Sequence, residues 1–324
     1  MGIAPKLTRR QFLQLCVAGP LVLTTATACG YQSTFDLGIY QHPGHEAFYL
    51  SEHAGLLPTS VVLRKSQSAE AVLSSMLKGE LDAATLALDE FLSCLHGGIP
   101  LKIVAVLSQS CGSDAFLSKP ELGSAAALKG KVIALEPRAS SELLLQYYLE
   151  SSGLQREDVE LAYLPQLKQL MAWQEGYIDA AISCPPVCHY IERNGAQPLF
   201  AADHSAPTSF QVLAIRADRM NWLSNTPALL LNSFYLGLRQ QELFKGDTLR
   251  RTALWRNLTL AETRRYFASV LHPGPAENLQ LMADSSALGK TLLQLQQWMP
   301  ELRHPIAAAG LLHPAALKQL VHNG

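Results

Sequence analysis

The sequence has little charge, few aromatic residues and no long apolar run. Charged residues make up 16% of its 324 residues and aromatic residues 7%, and the formal net charge is −1. Because nucleic-acid-binding surfaces are strongly basic, this balance indicates no nucleic-acid partner. No stretch reaches the ~20 consecutive apolar residues of a transmembrane helix, so an integral membrane protein is not expected. The apolar share of 48% excludes a disordered chain, and the length predicts about two domains.

Sequence motifs for common cofactors and nucleophiles are also missing. Neither the G-x-G-x-x-G spacing of a dinucleotide loop nor the G-x-S-x-G of a nucleophile elbow occurs. Cys184, Cys188 and His189 have the spacing C-x3-C-H, and no second cluster completes a zinc site. We therefore predict no cofactor and no metal. Beyond residue 29 the chain has four cysteines, whose disulfide pairing the sequence leaves open: Cys94, Cys111, Cys184 and Cys188.

The N-terminal segment has the pattern of an export signal. Arg9 and Arg10 precede a short apolar run, Phe12 to Leu23, and small residues follow up to Cys29. This order is typical of a secretory signal peptide, which we place at residues 1–28. Arg9 and Arg10 also fit the twin-arginine export motif, and the choice between that route and general export stays open. A leader on a cytosolic protein is the alternative.

The end of this segment, Ala26-Thr27-Ala28-Cys29, resembles a bacterial lipobox. In a lipobox the cysteine is lipidated and becomes the mature N-terminus, and the position of Ala26 is usually Leu. We expect lipidation at Cys29, which would hold an exported, periplasmic protein at a membrane surface without spanning it.

From residue 35 onward, short apolar strands alternate with helices of about 10–15 residues. This alternation predicts βαβ units and a mainly parallel sheet, hence an α/β fold. We predict strands at 35–40, 60–64, 81–86, 102–107, 114–119, 131–135, 159–163, 178–183 and 210–216. After residue 216 the apolar spacing of 3–4 predicts helices at 227–242, 248–257, 259–271, 284–298 and 314–322.

The chain contains an internal echo. The sequence around Gly79 and Asp82 (K-G-E-L-D-A-A) returns around Gly176 and Asp179 (E-G-Y-I-D-A-A) at an offset of 97 residues. In both copies a glycine follows a helix and Asp-Ala-Ala opens a strand, as expected where glycine ends a helix in the left-handed conformation. The echo predicts two similar lobes.

We place the first lobe at residues 30–118 and 210–324, with the helical C-terminal tail packed on it, and the second at 119–209. The chain would then cross between the lobes near 118–123 and 203–209. Paired crossings form a hinge that can close around a ligand, and a monomer suits free closure.

Five segments in register carry a family resemblance: Leu77–Asp82 (L-K-G-E-L-D), Gly98–Val104 (G-I-P-L-K-I-V), Leu128–Val132 (L-K-G-K-V), Gly153–Val159 (G-L-Q-R-E-D-V) and Gly176–Asp179 (G-Y-I-D). The chain resembles periplasmic solute-binding proteins of ABC importers, in the branch for nitrate, sulfonates, taurine and the thiamine pyrimidine precursor. The resemblance implies a two-lobe, type II periplasmic-binding-protein-like fold, delivery to a permease and ATPase complex, and no catalysis. Pro185-Pro186 stands where the family usually has Glu-Pro.

Ligands of open α/β sheets bind beyond the carboxyl ends of the strands, where helix N-termini and serine hydroxyls can hold an oxyanion. The segment from Arg138 to Ser141 is the best such site, because a guanidinium precedes free helix amides. The candidate ligand-binding residues are Gln41, His42, Ser66, Asp89, Ser108, Ser110, Arg138, Ser140, Ser141 and Pro185.

Asp89 decides the ligand class. If it faces the ligand, an amine or ring N–H is favoured; if it only caps its helix, the serine and arginine set favours an oxyanion. We predict a solute-binding protein for a small organic anion, such as an aliphatic sulfonate or a taurine-like compound. The alternatives are an enzyme of pyrimidine metabolism on the same fold and a sensory binding module for a membrane signalling partner.

Overall fold

The structure is a computed structural model, and it describes residues 34–111, 114–200, 209–220, 225–283, 285–299 and 310–323. The predicted signal peptide (1–28) and the predicted lipidation site, Cys29, lie outside this range. The described residues fall in one compact unit. None of the helices in these ranges combines the length and the apolar character needed to cross a membrane.

The first sheet carries the strands of the first lobe. They are β1 (Phe35–Tyr40), β2 (Val61–Ser66), β3 (Ala83–Ala87), β4 (Leu101–Ser110), β10 (Phe210–Arg216) and β11 (Val270–Leu271). Their order in the sheet is β11-β4-β10-β3-β1-β2, and β10 runs antiparallel between β3 and β4. The connecting helices are α1 (Glu46–His53), α2 (Ala69–Leu77) and α3 (Leu88–His96).

The second sheet has the same winding with five strands. They are β5 (Ala115–Ser118), β6 (Val132–Leu135), β7 (Glu160–Tyr163), β8 (Ala180–Ser183) and β9 (Gln197–Pro198), in the order β7-β6-β8-β5-β9. The helices are α4 (Ala139–Ser151), α5 (Gln166–Gln174) and α6 (Val187–Arg193). The predicted two-lobe α/β fold is confirmed.

The structure corrects the position of β5. The sequence placed this strand at the end of the first lobe, but it pairs antiparallel with β8 and β9 in the second sheet. The chain therefore passes between the sheets after Ser110 and before Ala115, earlier than the predicted crossing at 118–123. The predicted return crossing at 203–209 lies, except for Ser209, outside the described residues.

The internal echo is a true structural repeat. Asp82 directly precedes β3 and accepts a hydrogen bond from Asp36 N on β1 at 2.8 Å, while Asp179 directly precedes β8 and accepts one from Val132 N on β6 at 3.1 Å. Each carboxylate also pairs with a cation, Arg219 and Lys119 respectively. The preceding glycines have φ of 73° and 74°, the left-handed conformation that favours glycine. In each copy the aspartate links the strand that follows it to a parallel neighbouring strand.

The C-terminal tail is helical and packs on the first sheet. It contains α7 (Thr226–Leu243), α8 (Lys245–Trp255), α9 (Leu260–Ala268), α10 (Pro275–Leu281), α11 (Ala287–Gln297) and α12 (Ala315–Asn323). Leu288, Leu292 and Leu317 are buried in the same apolar cluster as Leu37 and Ile39 of β1. The predicted packing of the tail on the first lobe is therefore confirmed.

The tail differs from the prediction most clearly between residues 259 and 281. The helix predicted at 259–271 ends at Ala268, and Val270 and Leu271 instead pair with Ser110 and Gln109 of β4. Pairing with the edge of β4 satisfies the backbone hydrogen-bonding groups of Val270 and Leu271, so the helix does not need to continue through them. The sequence pattern also missed α10, which begins at Pro275.

Candidate functional site

A cavity of about 1060 Å³ lies between the two lobes. It opens at the carboxyl ends of β1, β2 and β3 on one side and of β6, β7 and β8 on the other, the position where open α/β sheets bind ligands. Its volume is at the upper end of the range for small-molecule sites. Polar and aromatic residues from both lobes line it, among them Tyr40, Gln41, His42, Gln67, Ser68, Asp89, Glu90, Ser93, Glu136, Arg138, Glu142, Tyr163, Gln166, Cys184, Tyr190 and Trp298.

Four of the ten candidate residues line this cavity, namely Gln41, His42, Asp89 and Arg138. The other six do not, and they are Ser66, Ser108, Ser110, Ser140, Ser141 and Pro185. The cause for Ser108 and Ser110 is the length of β4, which runs to Ser110 instead of ending at residue 107. Both serines are therefore strand residues, and Ser110 Oγ accepts a hydrogen bond from Ser209 N at 2.8 Å.

Three of the other candidates that do not line the cavity lie in, or just before, a strand or helix. Ser66 ends β2 opposite Tyr40 in the register of the sheet. Ser141 is buried in the first turn of α4, and Pro185 is buried two residues before α6. The sequence rule therefore found the right edge of each sheet but not which side chains turn toward the cavity.

Asp89 and Ser140 join the two lobes. Asp89 is in the first turn of α3, and its Oδ2 accepts hydrogen bonds from Ser140 N at 3.0 Å and from Ser140 Oγ at 2.6 Å. Ser140 is in the first turn of α4, whose amides and dipole favour negative charge. Asp89 Oδ1 also accepts a hydrogen bond from Glu90 N in its own helix, at 3.1 Å. Asp89 Oδ2 caps a helix of the other lobe, and it takes the Ser140 amide that was predicted to bind an oxyanion.

Arg138 faces carboxylates from both lobes. Its Nη1 lies 3.6 Å from Glu90 Oε1, and its Nε lies 3.2 Å from Glu136 Oε2. Its Nη2 lies 4.0 Å from Asp114 Oδ1. Burial acts to lower the pKa of Arg138, but the surrounding carboxylates outweigh this effect and raise the pKa well above its usual value. The guanidinium is charged, and carboxylates of the protein itself already neutralise it.

Glu90 is a buried carboxyl group at the wall of the cavity. Its Oε2 accepts a hydrogen bond from Ala87 N at 2.7 Å and one from the Tyr40 hydroxyl at 3.1 Å. Burial raises the pKa of Glu90 to about 7, against the lowering effect of Arg138. Near neutral pH this group therefore gains or loses a proton in response to small changes around it.

His42 and His45 have different surroundings. His45 is fully buried, with Nε2 3.0 Å from Gln211 Oε1 and Nδ1 3.2 Å from the Tyr40 carbonyl oxygen. His42 lines the cavity, and its Nδ1 accepts a hydrogen bond from Gly44 N at 3.0 Å. Burial and the neighbouring His45 hold the pKa of His42 well below its usual range. His42 is therefore neutral with its proton on Nε2, which has no hydrogen-bond partner among the described residues.

Cys184 is the only cysteine in the lining of the cavity as the described residues form it. Gln166 Nε2 donates to its Sγ at 2.8 Å, and burial with the nearby carboxylates Asp114 and Glu136 raises the pKa of the thiol. A thiol that keeps its proton is a poor nucleophile. All four cysteines within the described range are free, and no group of three or more possible metal ligands occurs there.

A second set of contacts joins the lobes beside the cavity. Arg193 of α6 donates through Nε to Glu262 Oε1 of α9 at 2.7 Å. The Tyr190 hydroxyl, also on α6, donates to the carbonyl oxygen of Arg256 at 2.5 Å. Together with the bond between Asp89 and Ser140, these contacts hold the two walls of the cavity at fixed positions.

Several lining residues were missed by the sequence analysis. Glu136 directly follows β6 and Glu90 comes three residues after β3, so both lie at the strand-to-helix junctions from which Asp89 and Arg138 were selected. Trp298 comes from the end of α11, and its sequence position gives no signal, because the tail reaches the cavity only through tertiary packing.

Two α/β lobes with a cavity between the carboxyl ends of their strands define the class of two-lobe periplasmic-binding-protein-like folds. The model of the NMT1-like family matches residues 46–200. This match agrees with the resemblance to the NMT1/SsuA-like branch that the sequence predicts. No curated protein sequence matches the chain.

Solved structures with the same fold cover nearly the whole chain. The alkanesulfonate-binding protein SsuA from Xanthomonas axonopodis pv. citri, bound to MOPS, is 17% identical with a TM-score of 0.70, covering 87% of this chain and 99% of its own. The nitrate-binding protein NrtA from Synechocystis is 12% identical with a TM-score of 0.66, covering 90% and 89%. The desulfurization enzyme DszB is 16% identical with a TM-score of 0.65, covering 89% and 99%. At these identities the similarity establishes the fold.

Proposed function

We propose that this protein is an extracytoplasmic solute-binding protein, which captures a small organic solute between its lobes and delivers it to an ABC permease and ATPase complex. The observation that carries the proposal is the cavity of about 1060 Å³, lined from both lobes at the carboxyl ends of their parallel strands. The matched SsuA and NrtA structures are those of an alkanesulfonate-binding and a nitrate-binding protein, which supports the same role.

An enzyme on this fold is the second candidate, because the desulfurization enzyme DszB shares the fold. A nucleophile in the cavity would have to be Cys184 among the cysteines described, and the pKa of that thiol is raised. The environment of Cys184 therefore supports binding over catalysis. The sequence predicts an organic anion as the solute, such as an aliphatic sulfonate or a taurine-like compound. This prediction is supported by the fold match to SsuA, which is an alkanesulfonate-binding protein.

Solute binding is tested by thermal unfolding of the full chain with a panel of alkanesulfonates, taurine, nitrate and small organic cations. A ligand at ~100 times its dissociation constant adds about 2.7 kcal/mol to the stability of the folded state. Ser93→Trp places a large side chain in the cavity, and Ser75→Trp is its matched control, on α2 and outside the lining. We expect a compound to stabilise the wild type and Ser75→Trp but not Ser93→Trp. Equal stabilisation of all three, or none at all, would overturn the proposal.

Delivery needs its own test, because a sensory module would bind a solute equally well. We expect the solute-loaded protein to stimulate ATP hydrolysis by a permease and ATPase complex reconstituted in liposomes, and the protein without solute to do so less. Binding without stimulation would rule out import and favour sensing.

A further inference from the structure

The cavity carries an excess of negative charge. Its lining includes five carboxylates and two cationic side chains, the latter being Arg138 and Lys168. Of the five carboxylates, Glu142 is paired with Arg156 outside the lining, at 2.6 Å. Even with Glu90 partly protonated near pH 7, the carboxylates outnumber the cations. Clefts lined by one sign of charge concentrate ligands of the opposite sign.

The two groups that would bind an anion already lie next to carboxylates of the protein. The Ser140 amide and hydroxyl donate to Asp89 at 3.0 and 2.6 Å, and Asp89 is 2% exposed, so its carboxylate already takes the place of a ligand oxyanion. Arg138 has Glu90 and Glu136 within 3.6 Å. An incoming sulfonate would have to break these pairs and lie close to the displaced carboxylates.

A separate observation concerns His42. This side chain is 6% exposed, lines the cavity and carries its proton on Nε2, because Nδ1 accepts from Gly44 N. No described residue accepts from Nε2. A donor at the cavity wall without a protein partner is available to an acceptor atom on the ligand.

Aromatic rings complete the lining. Tyr40, Tyr190 and Trp298 line the same cavity as the carboxylates. Faces of tyrosine and tryptophan rings attract organic cations, and they do so more strongly where water is excluded. Carboxylates with aromatic rings suit a substituted ammonium group better than they suit an oxyanion.

We propose that the solute held between the lobes is a small organic cation that also carries a hydroxyl or carbonyl oxygen. Its charged end lies toward the carboxylates of the lining, and its oxygen accepts the hydrogen bond of His42 Nε2. This assignment rests on the proposed solute-binding function, and it replaces the organic anion by the opposite charge class.

The test is calorimetric titration of the full chain with choline and ethanolammonium, against ethanesulfonate and nitrate. We expect a cation to bind at least ten times more tightly than either anion. Glu136→Gln removes a lining carboxylate and should weaken cation binding at least tenfold. Glu175→Gln removes an exposed carboxylate outside the lining, and it should change the affinity less than twofold.

The oxygen contact has a test of its own. The wild type should prefer choline to tetramethylammonium, which lacks the hydroxyl, and His42→Phe should abolish that preference while still binding both. Binding of the anions alone would overturn the charge assignment and leave the proposed function standing. Binding of none of these compounds would overturn the assignment, and the thermal panel with alkanesulfonates and taurine would then show whether the proposed function fails with it.

Discussion

At the scale of single residues, burial determines the chemistry of this protein. Glu46 and Arg256 form a buried ion pair, with Arg256 Nε and Nη2 donating to Glu46 Oε2 at 3.0 and 2.9 Å. The Tyr266 hydroxyl donates to the same oxygen at 3.0 Å, and Arg256 lies over the Tyr49 ring at 4.2 Å. These contacts fasten α1 to the helices of the tail.

Removing one partner of this pair should be costly. We expect Arg256→Met to lower the free energy of unfolding by about 3–5 kcal/mol, because it leaves the Glu46 carboxylate buried without its cation. Arg251→Met is the control, since Arg251 pairs with Asp247 on the surface of α8 and such pairs contribute about 0–1 kcal/mol. Urea unfolding measures both, and equal losses would contradict the account.

Glu90 gives a pH-dependent prediction. Its pKa is raised from 4.5 to about 7, mainly by burial, so the folded state holds its proton at a pH where the unfolded state loses it. The groups that face it are Tyr40, Arg138, Asp89 and Glu136. Its contribution to stability is present below about pH 4.5 and is lost as the pH rises to about 7.

Glu90→Gln removes this titration. The unfolding free energy of the variant minus that of the wild type should therefore increase between pH 4.5 and 7 and stay level above. The comparison variant is Glu70→Gln, which removes an exposed carboxylate at the same cavity. Chemical unfolding at intervals of pH measures both curves, and a flat difference for Glu90→Gln would show that its pKa is not raised.

At the scale of elements, close packing and paired strands determine the layout. In α7, Gly237 lies against α1 so closely that a Cβ atom would be 1.9 Å from the Ala47 carbonyl oxygen. In α8, a Cβ on Gly246 would meet only the side chain of Arg250, at 3.7 Å. Close helix packing therefore explains the glycine at position 237, and nothing in the structure explains the one at position 246.

These glycines form a matched pair. Gly246→Ala should raise stability by about 0.5–1 kcal/mol, the usual gain of alanine over glycine in a helix. Gly237→Ala should lower it by about 1–3 kcal/mol, because α1 and α7 must move apart. Thermal unfolding measures the stability of both variants. Higher stability in both would mean that α1 and α7 do not approach this closely.

The elements that the sequence predicted well are those with strong local signals. Gly79 and Asp82, with their copies at Gly176 and Asp179, mark a helix end followed by a strand start, and the structure confirms both. The errors fall where neighbours in space decide. β4 continues to Ser110 because β10 and β11 pair with it, and this extension took Ser108 and Ser110 out of the candidate site.

At the scale of the whole molecule, the site depends on contacts between the lobes. The position of the cavity followed from the parallel strands, but the bond from Asp89 to Ser140 joins residues that are 51 positions apart and belong to different lobes. The sequence offered two roles for Asp89, at its own helix or at the ligand. The structure adds a third, at the helix of the other lobe, where Asp89 accepts hydrogen bonds from Ser140.

The central claim is that one solute contacts both lobes inside the cavity. Hydrogen–deuterium exchange of the full chain, with and without the compound that stabilises it most, tests this directly. We expect slower exchange at residues 41–42 of the first lobe and at residues 138–140 of the second, while the exposed end of α8 near Leu254 stays unchanged. Protection confined to one lobe, or found only outside the cavity, would contradict the account.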